Sequence, residues 1–87
     1  MKNISSIVSD MIELLETYGY FDWAKALKSN VSYMSDSPLE AKRRIVSMYG
    51  GMGSLNDIVL HQNGVPNLKD NLRFSELRSE LYNICIK

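Results

Sequence analysis

Apolar residues recur at three- and four-residue spacing through most of this chain, and charged residues fill the positions between them. Ile4, Ile7, Val8, Met11, Leu14, Leu15 and Tyr18 form the first series, with Asp10, Glu13 and Glu16 on the other side. A helix turns once every 3.6 residues, so the series becomes one face, and a helix is predicted over residues 5–18. Gly19 follows as a left-handed stop. Tyr20 and Phe21 bridge to Asp22, placed to cap a second helix over residues 23–33, whose apolar face is Trp23, Leu27, Val31 and Met34.

Ser37-Pro38-Leu39-Glu40 is the most explicit helix start in the chain: Ser37 can cap, Pro38 suits the first turn, and Glu40 can close a capping box. Ala41, Ile45, Met48 and Tyr49 supply the buried stripe of this third helix, Lys42-Arg43-Arg44 its solvent side, and Gly50-Gly51 its end. Ser54 and Asp57, with Leu55, Ile58 and Val59, predict a short fourth helix stopped by Asn63-Gly64, while Ile58-Val59-Leu60 also fits a strand. After Val65-Pro66 a fifth helix is predicted over residues 72–86, with Phe74, Leu77, Leu81, Ile84 and Cys85 inward. The expected fold is all-α: a single compact bundle of about five short helices, with residues 1–87 as one helical domain.

Composition narrows the functional classes. A chain of 87 residues supports one core, and so small a core buries a modest share of its surface, which leaves oligomer or complex formation open. Ten basic residues balance ten acidic ones and the pI is about 6.5, which argues against gripping nucleic acid through phosphates and against adhesion to anionic membrane. No apolar run approaches the length of a spanning helix, and Met1 to Ser6 lacks the apolar stretch of a secretory signal, so a cytoplasmic protein is expected. With Cys85 as the one cysteine, neither an internal disulfide nor a cysteine zinc site can form. No cofactor is expected.

The densest candidate for chemistry is the stretch from Tyr49 to Asp57, where Gly50, Gly51 and Gly53 precede a predicted helix start. Three readings stay open there: a sharp structural turn, a corner that touches a partner through Gly51, Met52, Gly53, Ser54, Asn56 and Asp57, or an anion site on exposed amides. As a nucleotide loop it lacks the lysine of a Walker pattern, and a helix rather than a strand precedes it. Lys42, Arg43 and Arg44 read first as a solvated face and second as a contact patch. His61 lies four residues after Asp57, which on a helix would pair them, but no spacing brings Ser54 or Cys85 to that imidazole. Cys85 falls on an apolar stripe and reads as a buried thiol. Glu13 with Glu16 and Glu76 with Glu80 read as solvating charges, and Trp23 with Tyr18, Tyr20 and Phe21 as an aromatic knot in the core. The protein is therefore expected not to be an enzyme.

The runs Pro38 to Ile45 and Gly50 to Leu60, with Leu77-Arg78, Leu81-Tyr82 and Cys85, resemble a family of small bacterial proteins of uncharacterised function, over nearly the whole chain and including Trp23-Ala24. That resemblance implies a short cytosolic bacterial protein of immunity-protein size and style. The expected function is a small non-catalytic interaction protein, an immunity protein that binds and neutralises a cognate toxin domain. Its alternative is a small anion- or nucleotide-binding regulatory module using the glycine-rich corner at residues 50–54.

Overall fold

The computed structural model describes residues 3–50 and 54–86. Its α-helices are α1 (Ile4–Thr17), α2 (Phe21–Val31), α3 (Pro38–Ser47) and α4 (Leu68–Cys85). A two-stranded antiparallel hairpin, β1 (His61–Gln62) and β2 (Val65–Pro66), precedes α4, and single 3-10 turns occupy Ser32–Met34 and Leu55–Asp57. The all-α class holds, with four helices where five were expected.

α1 starts where the Asn3 side chain accepts the Ser6 amide at 2.8 Å, satisfying one of the donors that a helix start leaves over. Its end is the left-handed stop read from Gly19, which has φ +83°. The Tyr20 amide donates to the Leu15 carbonyl and the Gly19 amide to that of Glu16, the paired bonds of a Schellman motif. α2 begins two residues earlier than predicted. Tyr20 takes the N-cap position without a side-chain bond, and Asp22 lies inside the first turn, where its charge complements the helix dipole rather than capping a backbone amide. Of the aromatic knot, Tyr18, Tyr20 and Trp23 pack against the core, whereas Phe21 is exposed.

α3 begins at Pro38 as expected, but Ser37 makes no side-chain bond to the helix. The capping box does not close: the Ser37 amide donates to the Tyr33 carbonyl at 2.7 Å, and Glu40 pairs with Arg43 and Arg44 instead. Pro38 at the first position also removes one of the amides a cap would serve.

The predicted fourth helix is absent. After the 3-10 turn at Leu55–Asp57 the chain runs extended, with Ile58 buried, Val59 exposed and Leu60 buried, a period of two rather than 3.6. Asn63 and Gly64, read as a helix stop, both have positive φ, 55° and 79°, and together form the two-residue turn of the hairpin. Left-handed residues can end a helix or turn a hairpin, and an Asn-Gly pair favours the second. α4 likewise starts four residues before its predicted position, capped by the Asn67 side chain on the Asp70 amide at 3.0 Å. Its first two leucines, Leu68 and Leu72, face outward, so the inward periodicity shows only from Phe74.

One core joins these elements. Ile7, Met11 and Leu15 of α1, Leu27 of α2, Ile45 of α3, Phe74, Leu77 and Leu81 of α4, and Leu55 and Leu60 from the connection are all removed from water. Asn71 of α4 holds the connection in place. Its Oδ1 accepts the Leu60 amide and its Nδ2 donates to the Leu60 carbonyl, both at 2.7 Å. Beside it, the Tyr18 hydroxyl donates to the Asp70 carboxylate in a short bond, tying the end of α1 to the start of α4 and raising the Tyr18 pKa.

Leu81→Ala is expected to lower unfolding free energy by about 2 to 5 kcal/mol through lost burial and a residual cavity. Asn71→Ala leaves the Leu60 amide without its partner and the Leu60 carbonyl with the Asn67 amide alone, and is expected to cost about 1 to 3 kcal/mol. Urea melts of both variants check this, and an Asn71→Ala midpoint equal to wild type would contradict the clamp.

Candidate functional site

A groove of about 550 Å³ opens between the C-terminal end of α3, the corner that follows it and the outer side of α4. Tyr49, one turn past Ile45, forms its floor: the ring is buried, and the hydroxyl reaches across to donate to the Arg78 carbonyl at 2.8 Å. Tyr82, one turn beyond Arg78 on α4, packs its ring against Tyr49 with centroids 5.0 Å apart and a 55° tilt, and leaves about a third of itself in solvent. Val46 gives one apolar wall, and Ser79 and Asn83 give a polar rim.

The corner closes the remaining side. The Asn56 side chain donates to the Tyr49 carbonyl at 2.9 Å, and one terminal nitrogen of Arg78 lies 3.3 and 3.4 Å from the carbonyl oxygens of Leu55 and Asn56. The Arg78 guanidinium also sits 5.7 Å from the centre of the Phe74 ring. Each part of the groove is thus tied to a different element, which fixes the cation without surrounding it.

The residues singled out from the sequence are dispersed relative to this groove. Asn56 lines it, as does Gly50. Ser54 is buried, its hydroxyl accepting the Asn56 amide at 3.3 Å, and Asp57 ends the 3-10 turn with its amide on the Ser54 carbonyl. Gly51, Met52 and Gly53 lie outside the described residues. The anion reading relied on a helix N-terminus after the glycines, but a single 3-10 turn stands there, without the stacked peptide dipoles of a longer helix.

The basic triplet is divided between two sides of α3. Arg44 places its Nε 3.1 Å from Glu40 and its guanidinium 4.2 Å from the centre of the Tyr33 ring, and Arg43 pairs with the same carboxylate at 3.6 Å. Lys42 is half-buried on another side of α3, where its charge acts on the Cys85 thiol. Arg43 and Arg44 remain exposed and share the one carboxylate of Glu40, which leaves one net positive charge there.

His61 is exposed on β1, opposite Pro66, so the helical spacing that would have aligned it with Asp57 is gone. Cys85 is buried at the end of α4, and burial raises its pKa above the ordinary 9.0, partly offset by Lys42. Glu13, Glu16, Glu76 and Glu80 are exposed, as read. Among the described residues, no group of three or more acidic, histidine or cysteine side chains is placed to hold a metal ion. No helix among them is long and apolar enough to cross a membrane.

The sequence reading missed Tyr49, Arg78, Tyr82 and Asn83 as partners in one site. The four-residue step from Arg78 to Tyr82 puts both on one side of α4, but with charges on either side nothing local distinguishes it from ordinary solvent-facing surface. Their convergence with Tyr49 and Asn56 comes from tertiary packing.

Residues 16–67 match the model of a domain of unknown function, DUF6966, and the chain belongs to that family. The match covers α2, α3, the corner and the hairpin, so the Tyr49 and Asn56 side of the groove lies within it and the Arg78 and Tyr82 side beyond it. No curated protein and no solved structure matches the chain.

Burial, with a smaller contribution from Cys85, raises the Tyr49 pKa well above its ordinary 10.0, against a downward pull from Arg78. A phenol or thiol whose folded pKa exceeds its unfolded one stabilises the fold fully below the unfolded value and loses that contribution as pH rises through the folded one. Stability is therefore expected to fall as pH rises above about 9, first through Cys85 and then above about 10 through Tyr49 together with Tyr18. Tyr49→Phe should cost about 1 kcal/mol at neutral pH and flatten the upper part of the profile. Urea midpoints between pH 7.5 and 11 test both, and a wild-type midpoint that does not decline would contradict them.

Proposed function

We propose that the protein is a non-catalytic binding module that acts by stoichiometric association with a protein partner in the bacterial cytoplasm, in the manner of an immunity protein neutralising a toxin. The observation that carries this reading is the groove, where an arginine and a partly exposed tyrosine stand over a buried aromatic floor with a polar rim. Arginine and tyrosine are enriched where protein interfaces concentrate their binding energy, because each offers a large flat surface together with hydrogen-bonding groups. A rigid support lowers the entropy lost on association, and the ties from Tyr49 and Asn56 supply it.

Overall neutrality fits a target that is not strongly basic, or contact away from a basic active site. The alternative, a small anion- or nucleotide-binding module at residues 50–54, retains one support, since Arg78 supplies a cation at that corner.

An immunity protein is usually encoded beside its target, so the test is co-expression with the product of the adjacent gene. Growth protection and a 1:1 complex on size exclusion are expected, with Tyr82→Ala weakening the complex by roughly tenfold or more. Absence of both protection and co-elution would remove the immunity reading. Amide shifts from Gly51 to Ser54 on adding phosphate or a nucleotide would favour the alternative.

A further inference from the structure

All four arginines of the chain are described, and three of them have a carboxylate partner: Arg43 and Arg44 on Glu40, and Arg73 on Asp10 at 3.4 Å. Arg78 has none among the described residues. Its contacts are the two long bonds from one terminal nitrogen to carbonyl oxygens, and the ring of Phe74. A guanidinium presents five N–H donors in a planar fork, so most of its capacity is uncommitted. It is also the only charged side chain among the described residues that line the groove.

We propose that the groove receives the carboxylate side chain of an acidic protein segment, with Arg78 as the cation that pairs with it and Tyr82 as the surface on which the segment's neighbouring apolar residue lies. This rests on the binding-module reading above and names the chemistry of the partner. A carboxylate matches the guanidinium fork through two parallel hydrogen bonds, which add direction as well as strength. One guanidinium also balances one carboxylate, whereas a phosphate monoester brings about 1.5 to 2 negative charges and meets a single cation here. Val46 and the Tyr49–Tyr82 pair provide apolar contact beside the charge, which suits a peptide with an apolar residue next to its acid. The Arg78 carbonyl is held by Tyr49 and its guanidinium by the corner, so little freedom remains to be lost when the acid arrives.

The test is a nuclear magnetic resonance titration of the full chain with an acetylated, amidated pentapeptide carrying a central glutamate between two leucines. Its glutamine counterpart, inorganic phosphate and adenosine monophosphate are run alongside. Saturable shifts at the Arg78 Nε–H, Tyr82 and Asn83 are expected with the glutamate peptide, and roughly tenfold weaker binding with the glutamine peptide. Arg78→Lys keeps the charge but loses the fork and is expected to weaken the glutamate peptide severalfold; Tyr82→Ala, on a partly exposed ring, weakens both peptides. Circular dichroism and urea melts establish that each variant is folded before it is titrated.

Equal binding of the two peptides, no shift with either, or larger shifts of the same resonances with phosphate or the nucleotide each overturns the proposal. Applied to a partner complex, Arg78→Gln separates the two ideas. A complex that forms unchanged with Arg78→Gln overturns acid recognition and leaves the binding module standing. A glutamate peptide that binds while no protein partner is found does the reverse.

Discussion

The side-chain amide of Asn71, spanning the amide and carbonyl of Leu60, is the constraint from which the rest of the structure follows. The connection between α3 and α4 carries Leu55, Ile58 and Leu60 into the core without a helical ladder beneath them. Peptide groups that leave water without a partner cost as much as the apolar side chains gain. Helix side chains supply the partners instead: Asn71 serves Leu60, the Tyr20 hydroxyl donates to the Val59 carbonyl at 2.9 Å, and Arg78 reaches Leu55 and Asn56. Backbone bonds from Leu55 to Met48 and from Asn67 to Leu60 close the two ends. The connection thereby becomes a fixed wall, and the position of α4 relative to α3 is set by it.

The groove is a by-product of that wall. Had residues 55–62 formed a helix, the backbone carbonyls of Leu55 and Asn56 would have been taken up internally and Arg78 would have had nothing to lean on. An irregular segment leaves carbonyl oxygens pointing sideways, and these steady a guanidinium without neutralising it. The difference from Arg43, Arg44 and Arg73 is electrostatic: those three share carboxylates in solvent, where ion pairs contribute little, whereas Arg78 keeps its full charge beside apolar surface.

Much of the fold was legible because helices write themselves locally. Ile7, Met11 and Leu15 recur with the period of one turn, and Gly19 supplies the left-handed stop that the Schellman bonds require. Asn63-Gly64 was ambiguous for a physical reason: positive φ serves both ends of helices and tips of hairpins, and what decides is how residues 58–60 are held, by Asn71 and Tyr20, far away in sequence. α4 hid its first turn because Leu68 and Leu72 face outward, which breaks the inward rhythm. Of the candidate site, local reading singles out the stretch that holds Tyr49, Gly50 and Asn56, with Tyr49 assigned to the buried stripe of α3. Arg78 and Tyr82 could not be distinguished from ordinary surface until α4 was set against Tyr49, since residues 29 and 33 positions apart carry no mutual signal in a pattern of period 3.6.

The burial of Cys85 has a practical corollary. A sulfur that water scarcely reaches and that holds its proton is a poor nucleophile, so it resists alkylating reagents and air oxidation while the fold is intact. A second cysteine introduced at an exposed position such as Gln62 would then react alone, which gives a route to attaching a dye or spin label without first removing the native thiol. The same sulfur becomes reactive once α4 detaches, so its rate of modification is a built-in clock for opening of the core.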